Sequence, residues 1–292
     1  MKLLITIYQL KNLEKLSVYA DGFLIGSDQF GTRLTKSFSD EEITYALKQT
    51  KALNKSLYLV CNQMFNDEQL ESFEDWIQTL PISEFSGIIV ADLGAYRVLE
   101  RMGYSNLIVY NPETLLTNAY DFNFLADFDI QGVFVAKEIT LEDIIYIGNH
   151  KKYQMFMIGH GHLNMFYSKR QLIDNFMYFT ESENPYHNRQ DLKIVEENRK
   201  DDPYPILEDQ AGTHVFRSQV LSSIDHLTEL RAFVDYLVVD TLFKDDDYAF
   251  SILKMYQDGK EDLNIKNQIQ DKYQEVWDEG FFYKKTIYKH KG

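Results

Sequence analysis

Short apolar runs recur along the chain, and most are followed by a turn and then by a segment with helical periodicity. The apolar runs are "KLLITIY", "GFLIG", "SLYLVC", "GIIVA", "NLIVY", "GVFVA", "YQMFMIG" and, much later, "YLVV". Short runs that are apolar throughout predict strands of a parallel sheet whose two faces are covered. About eight such units favour a closed barrel over an open sheet, so the predicted fold class is α/β, a TIM-like (β/α) barrel.

The alternation is interrupted after the seventh run. Residues 169–217 carry three of the five prolines and show little periodicity, which predicts an inserted excursion or lid without a core of its own. Residues 243–292 read as amphipathic C-terminal helices that close the chain. We therefore expect one domain over residues 1–292, because a chain of this length can build a single large core.

The net charge of −15 disfavours phosphate backbones, which are bound by releasing counterions onto Lys and Arg. Any nucleic-acid contact must therefore be local, and the one basic candidate is the tail "YKKTIYKHKG" (283–292). A solvated helix end is the commoner interpretation of such a tail.

Cellular location is predicted from cysteine content and hydropathy. The single cysteine, Cys61, excludes an internal disulfide. The apolar run at the start of the sequence is too short for a secretory signal. No apolar run approaches the length of a membrane span. The expected location is the cytoplasm, away from the membrane.

Polar residues follow the apolar runs, at the strand ends where barrels carry their chemistry. We expect these side chains to ring one mouth of the barrel and bind a ligand: Asn62, Asp92, Asn111, Lys137, Glu138, His160, His162 and Asp240. The alternative is that several are helix caps or turn formers, with Asp92 before "LGAYRVLERMG" the clearest case.

The sequence gives only weak support for a metal site or for nucleophilic catalysis. His160 and His162 are expected on the same side of an extended chain, which suits a metal, but no second His or Cys cluster accompanies them, so no metal is predicted. Ser168 and Cys61 are the available nucleophiles, and neither stands in a recognisable elbow. The segment "YADGFLIGSDQFG" lacks the lysine of a P-loop. Catalytic residues therefore stay unassigned.

Several segments, taken in order, resemble peptidase family U32, the collagenase-like proteases. They are "DGFLIGSDQFGTR", "SLYLVCNQMFNDEQL", "GIIVADLG", "VYNPETLLTN", "VFVAKEITLEDI", "QMFMIGHGHLNMFYSKRQ" and "YPILEDQAGTHVFRSQVLSSIDHL". The family signature has a Glu, then His-Gly, a small residue, Leu and Cys, and after a spacer Ser-Gly, any residue and Cys. Its residues retained here are His160, Gly161, Leu163 and Ser168.

This chain departs from the signature at the acid, the cysteines and the glycine. Gln154 replaces the acid, Asn164 and Gln171 stand where cysteines belong, and Lys169 replaces the glycine. Where the family has Lys-Ile-Glu-Gly-Arg, this chain has "VVDTL" and keeps an acidic group only at Asp240. The resemblance implies that those cysteines and two later ones hold an iron–sulfur cluster, which needs thiolates. No cofactor is therefore expected here.

The resemblance implies a role in RNA hydroxylation, including that of the wobble uridine of tRNA. Because this chain is similar to a short form without the cluster, we expect an accessory component that acts with a longer, cysteine-bearing homologue and reaches tRNA through it. A U32-type peptidase is the alternative, and a barrel that binds a small ligand is a further one. The contact with the homologue is expected at "ENPYHNRQDL" or at aromatics of the closing helices: Tyr248, Phe250, Tyr256, Tyr273, Trp277, Phe281 and Phe282. The alternative is that these aromatics are core residues.

Overall fold

A computed structural model describes residues 1–197 and 200–284. Within them the strands are β1 (Lys2–Thr6), β2 (Gly22–Ile25), β3 (Ser56–Cys61), β4 (Gly87–Val90), β5 (Ile108–Tyr110), β6 (Gly132–Phe134), β7 (Gln154–Ser168), β8 (Lys193–Ile194), β9 (Tyr204–Asp209), β10 (Gly212–Ser222), β11 (Tyr236–Val239) and β12 (Trp277–Asp278). The α-helices are α1 (Leu13–Ser17), α2 (Asp40–Ala52), α3 (Asp67–Thr79), α4 (Leu93–Arg101), α5 (Ala119–Asn123), α6 (Leu141–His150), α7 (Leu172–Phe179), α8 (Leu227–Leu230), α9 (Asp246–Asp258) and α10 (Leu263–Tyr273).

The sheet closes on itself. Strands β1 to β7 pair in sequence order, all parallel, and β11 pairs in parallel with both β1 and β7. Each of the apolar runs in the sequence supplies one barrel strand, so the predicted TIM-like barrel is confirmed. Closure brings the carboxyl-terminal ends of all the barrel strands to one mouth.

Two apolar layers hold the barrel together. The interior is filled from the strands by a cluster that includes Tyr58, Phe156 and Tyr236, with the rings of Phe156 and Tyr236 stacked at 4.4 Å. A larger cluster lies between the strands and the surrounding helices. The strands are apolar on both faces because both faces are buried, which explains the uninterrupted apolar runs.

Helix starts follow from local sequence. Ser39 begins α2 and Asn66 begins α3, each in a reciprocal capping box with Glu42 or Gln69 three residues later. Thr140 begins α6 in the same way. These caps satisfy backbone N–H groups that have no partner inside the helix, and they place each helix directly after a mouth loop.

Strand β7 continues well past the barrel. Its first residues pair with β6 and β11, and from His160 to Ser168 it pairs antiparallel with β10, which in turn pairs with β9. The segment 169–217 therefore contains α7, β8, β9 and the first part of β10. Its loop lies against the mouth, since Gln190 bonds to the hydroxyl of Tyr8 and to the carbonyls of Leu34 and Thr35.

The C-terminal segment packs on the barrel. Of its aromatics, Tyr248, Tyr256, Trp277 and Phe282 are buried, and Phe250, Tyr273 and Phe281 are partly buried against the main core. The expectation that they form a contact surface is therefore wrong, because they cover the outside of β1, β7 and β11. The basic tail from 285 to 292 lies outside the described residues. No helix in the described ranges has the length and hydropathy to cross a membrane.

Candidate ligand-binding site at the barrel mouth

A pocket opens at the carboxyl-terminal mouth of the barrel. Its floor is apolar and is made by inward-facing side chains of the barrel strands: Leu24, Val60, Ile89, Phe134, Ile158 and Val238. Its wall is polar and includes Thr6, Asn62, Asn111, Lys137, His162, Asp240, Arg33 and Glu113. An apolar floor with a few convergent polar groups is typical of small-ligand sites.

A charged triad forms one side of the wall. Glu113 Oε1 lies 2.7 Å from Arg33 Nη2, and its Oε2 is ion-paired with Lys137 Nζ. The side chains of Arg33 and Lys137 are only 9% and 7% exposed, so both cations depend on this carboxylate. Burial alone raises the pKa of Glu113, but the two cations outweigh it and hold the pKa at about 2. Glu113 is therefore ionised at neutral pH.

Asp240 lies in the same pocket, at the end of β11. Its Oδ1 accepts a hydrogen bond of 3.0 Å from the backbone N–H of Leu242. Burial raises the pKa of Asp240 to about 6, against the lowering effects of that hydrogen bond and of Arg33. A carboxyl group with such a pKa exchanges its proton near neutral pH, so it can serve as an acid or a base toward a ligand.

His162 presents a neutral ring to the pocket. Its Nδ1 lies 2.8 Å from the carbonyl oxygen of Arg217, which can only accept, so Nδ1 carries the hydrogen and Nε2 carries a lone pair. Burial, together with the nearby charge of Lys244, lowers the pKa of His162 to about 3. The ring therefore acts as a hydrogen-bond acceptor in the pocket.

Two asparagines supply donors. Asn62 Oδ1 accepts from the backbone N–H of Thr32 at 2.9 Å, and Asn111 Oδ1 accepts from that of Glu113 at 3.2 Å. With both oxygens engaged, the amide NH₂ groups are the parts left to bind a ligand. The pocket can thus meet carbonyl oxygens with the asparagines and a donor group with His162 or Asp240.

The mouth is tied to the hairpin of β9 and β10 by a hydrogen-bonded network. Asp209 Oδ2 accepts from Thr32 Oγ1 at 2.7 Å and from the backbone N–H of Arg33 at 3.0 Å. His214 Nε2 lies 2.9 Å from Thr32 Oγ1, and the ring stacks on Tyr167 at 4.7 Å. Burial lowers the pKa of His214, against the raising effect of the neighbouring Asp209 carboxylate. The network fixes the loop that carries Arg33.

Of the residues predicted for this site, Asn62, Asn111, His162 and Asp240 line the pocket together with Lys137. Asp92 does not: its Oδ1 accepts from the backbone N–H groups of Gly94 and Ala95 and begins α4, the capping role set out as the alternative. Glu138 is half-buried beside the pocket-lining Lys137 and is not part of the lining. Its neighbour in sequence takes the position instead.

The prediction for His160 is wrong in its geometry. The residue is fully buried behind the barrel wall, with Nε2 2.7 Å from the hydroxyl of Tyr248 and its ring 4.9 Å from that of Trp277. The alternation of β7 breaks here, because the pairing with β11 shifts register between Ile158 and His160. Gly161 follows with φ 133°, so His160 and His162 face opposite sides.

Arg33 and Glu113 were missed by the sequence reasoning because neither follows directly after a strand. Arg33 belongs to the long loop between β2 and α2, and Glu113 lies in the loop after β5. The one available signal was "YNPET", in which Pro112 and Asn111 mark a turn at a strand end. A turn marker predicts a loop, but not which of its side chains faces the pocket.

The residues at the signature's cysteine positions are hydrogen-bonded amides. The amide nitrogen of Asn164, placed to satisfy its neighbours, donates to the carbonyls of Phe166 and Val215 at 2.9 and 3.1 Å. Gln171 Nε2 donates to the carbonyl of Asp209 at 2.8 Å. Since an iron–sulfur cluster is held by thiolates, these residues do not fit one. Across the described ranges, no group of three or more His, Cys, Asp or Glu side chains is placed to hold a metal ion.

Neither candidate nucleophile is arranged for attack. Cys61 is fully buried in β3, where burial raises the pKa of its thiol. Ser168 stands at the far end of β7, and its Oγ accepts from the backbone N–H of Arg170 at 3.1 Å, which is a turn contact. A reactive cysteine needs the opposite environment, one that lowers its pKa.

The sequence profile of Peptidase family U32 matches residues 10–290. The chain belongs to peptidase family U32. It is 25% identical to tRNA hydroxylation protein P2 of Bacillus subtilis over 92% of this chain and 93% of that protein. It is also 25% identical to tRNA hydroxylation protein P1 of the same organism, over 57% of this chain and 40% of that protein.

Among solved structures, the U32 peptidase Mk0906 superposes with a TM-score of 0.52 at 14% identity, over 82% of this chain and 92% of that one. A similarity at this identity concerns the fold, and it agrees with the barrel described above. A third relative, the Uncharacterized protease MJ0090 of Methanocaldococcus jannaschii, is 22% identical over 93% of this chain and 70% of its own length. The U32 assignment thus covers the barrel, the excursion and the C-terminal helices together.

Proposed function

We propose that this U32 chain is a component of tRNA wobble-uridine hydroxylation that carries no iron–sulfur cluster. The observation that carries the proposal is its match to a tRNA hydroxylation protein over more than nine tenths of both chains. The absence of a cluster is inferred from the ligand set, since Asn164 and Gln171 replace thiolates and the sole cysteine is buried in β3.

In this function the redox chemistry is supplied by a longer, cysteine-bearing U32 homologue, and tRNA is reached through that partner. A net charge of −15 supports this division, because direct binding to a phosphate backbone needs a concentration of Lys and Arg. The existence of two Bacillus subtilis tRNA hydroxylation proteins, P1 and P2, is consistent with a pair of U32 chains.

The mouth pocket is the part of this chain that contributes to the reaction. Its asparagine donors, the acceptor at His162 and the titrating carboxyl of Asp240 suit a small ligand with carbonyl oxygens above an apolar ring or chain. The triad of Arg33, Glu113 and Lys137 orients this wall and keeps its charges fixed, as preorganised sites require. Binding of such a ligand without chemistry is the further candidate that this pocket supports.

The test is nucleoside mass spectrometry of tRNA from a strain lacking this gene. Loss of 5-hydroxyuridine derivatives, restored by the wild-type gene, is the expected result. Complementation by His162→Ala is expected to fail, whereas His150→Ala, which changes an exposed histidine at the end of α6, restores the modification. Unchanged 5-hydroxyuridine derivatives in the deletion strain would remove the proposal.

The peptidase alternative has its own discriminating assay. Purified protein is expected to leave gelatin and peptide substrates intact, because Cys61 and Ser168 are not placed against a base. Hydrolysis that copurifies with the protein and disappears in one single-residue variant would favour the peptidase instead.

A further inference from the structure

Helix α7 is apolar in sequence and yet has no buried residue. Its eight residues read "LIDNFMYF", and Phe176, Tyr178 and Phe179 are 62%, 85% and 83% exposed. Next to it, Met165 and Phe166 on β7 are exposed as well. Such a helix is normally buried, because a helix that is mostly apolar gains its stability from packing.

Met165, Phe166 and Phe176, with the neighbours that line the groove beside them, form one surface, which we call the α7 face. Phe179 follows Phe176 by three residues and lies on the same side of the helix. The α7 face borders an open groove lined by Met165, Phe166, Leu172, Ile173, Phe176, Ile194, Val195, Ile206 and Val215. The groove exists because β10, β9 and β8 extend the sheet beyond the barrel, where no barrel helix covers them. The strand β8 at its margin is the open edge of this sheet.

The α7 face is held in place by a buried carboxylate. Glu208, which is fully buried, accepts from the backbone N–H groups of Ile173 at 2.7 Å and Asp174 at 3.0 Å. Its Oε2 also accepts from Thr213 Oγ1 at 2.7 Å, and that hydroxyl accepts from the N–H of Leu172 at 2.9 Å. These bonds satisfy the first turn of α7, so the helix is fixed with its aromatics outward.

The exposed apolar side chains of the α7 face lie next to one another. Met165, Phe166, Leu172, Phe176, Phe179, Ile194 and Val195 are each between 39% and 83% exposed. Contiguous exposed apolar side chains of this kind mark an interaction surface, because single scattered ones are what an ordinary monomer surface shows. We propose that the α7 face is the docking site for a protein partner, a second U32-family chain that presents an apolar face surrounded by Lys and Arg.

Charge selects this occupant over the others. The segment 169–202 contains eight acidic and six basic residues, so it carries no excess of positive charge with which to bind RNA or an anionic membrane. Two copies of a chain with net charge −15 repel each other, which disfavours self-association through this face. A partner of opposite charge gains both the apolar contact and the attraction.

The inference rests on the proposed function for the identity of the partner, and the test uses the longer, cysteine-bearing U32 homologue of the same organism. Its binding to the full-length chain is measured by titration calorimetry and by size exclusion at two salt concentrations. The variant is Phe176→Ala with Phe179→Ala, which keeps helix propensity and adds no charge. The matched control is Tyr45→Ala with Tyr120→Ala, which removes exposed aromatics from α2 and α5.

The wild type is expected to form a complex that weakens at higher salt, the α7 variant to lose affinity by about tenfold or more, and the control to bind as the wild type does. Because the substituted residues are exposed, circular dichroism should show equal folding in all three. Equal affinity of variant and wild type for the homologue would show that the α7 face is not the docking site, and it would leave the proposed role in tRNA hydroxylation unaffected.

Other outcomes separate the two proposals. If the purified wild-type chain does not bind the homologue, but tRNA hydroxylation in cells still depends on this gene, the docking site is overturned and the proposed function is not. Self-association that the α7 variant abolishes would overturn it in favour of a second copy. If hydroxylation of tRNA is unchanged in the strain that lacks the gene, the proposed function is overturned, whatever the binding result.

Discussion

Arg33 and Glu113 form a 2.7 Å ion pair across the barrel mouth, and both have left-handed backbones, with φ 55° and 67°. They come from different loops, one after β2 and one after β5. A left-handed backbone at a residue other than glycine costs about 1–3 kcal/mol, so the surrounding contacts must hold it. Here those contacts include the ion pair itself and the Asp209 network that binds the Arg33 N–H.

Replacing Glu113→Gln tests this pair. We expect the free energy of unfolding at pH 7 to fall by about 2–4 kcal/mol, because Arg33 and Lys137 would stay buried without a carboxylate. The folded-state pKa of about 2 lies below the ordinary 4.5, so the contribution is full above pH 4.5 and fades as the pH falls toward 2. Urea unfolding at pH 7 and pH 3 measures both effects.

Asp247→Asn is the control for that series. Asp247 pairs with Lys15 at 3.0 Å, but both side chains are largely exposed, so the change should stay within about 0.5 kcal/mol. Equal losses for the two variants would mean that burial of the triad contributes nothing.

Asp240→Asn is expected to act in the opposite direction. Because its folded-state pKa of about 6 exceeds the ordinary 3.8, the wild type loses stability as the pH rises from about 4 to 6. The variant lacks this loss and should be more stable at pH 8 by about 3 kcal/mol, with the difference vanishing near pH 4. Asp271→Asn, on the exposed side of α10, serves as the control. Parallel pH profiles for wild type and Asp240→Asn would contradict the assignment.

His160→Ala and His162→Ala should separate a packing role from a site role. The first removes a fully buried ring bonded to Tyr248, which we expect to cost about 2–4 kcal/mol and to lower the thermal midpoint clearly. The second removes an acceptor from the pocket and should change ligand binding more than the midpoint. Similar midpoints for both variants would place His160 outside the core.

Purified protein should be colourless and free of stoichiometric iron after anaerobic reconstitution. The double variant Asn164→Cys, Gln171→Cys should stay so, because two further thiolates are missing. Iron analysis and visible absorption provide the measurement. About four iron atoms per chain with charge-transfer bands would show that the cluster is held.

The sequence determined the barrel by itself, since each barrel strand is a run apolar on both faces and each main helix opens on a local cap such as Ser39 or Asn66. These signals lie within a few residues, where periodicity and capping chemistry act. For the same reason Asn62, Asn111, His162 and Asp240 could be placed at the mouth: a residue that ends a barrel strand lies there.

Only the tertiary structure decided the rest. A register shift in the pairing of β7 with β11 places His160 in the core. The residues next to His160 in sequence do not predict this shift, because it depends on a partner strand far along the chain. Arg33 and Glu113 meet because closure of the barrel brings two distant loops together. Likewise, α7 has the composition of a core helix, and it stays exposed because β8, β9 and β10 carry it beyond the barrel. Long-range pairing sets these outcomes, and local patterns do not encode it.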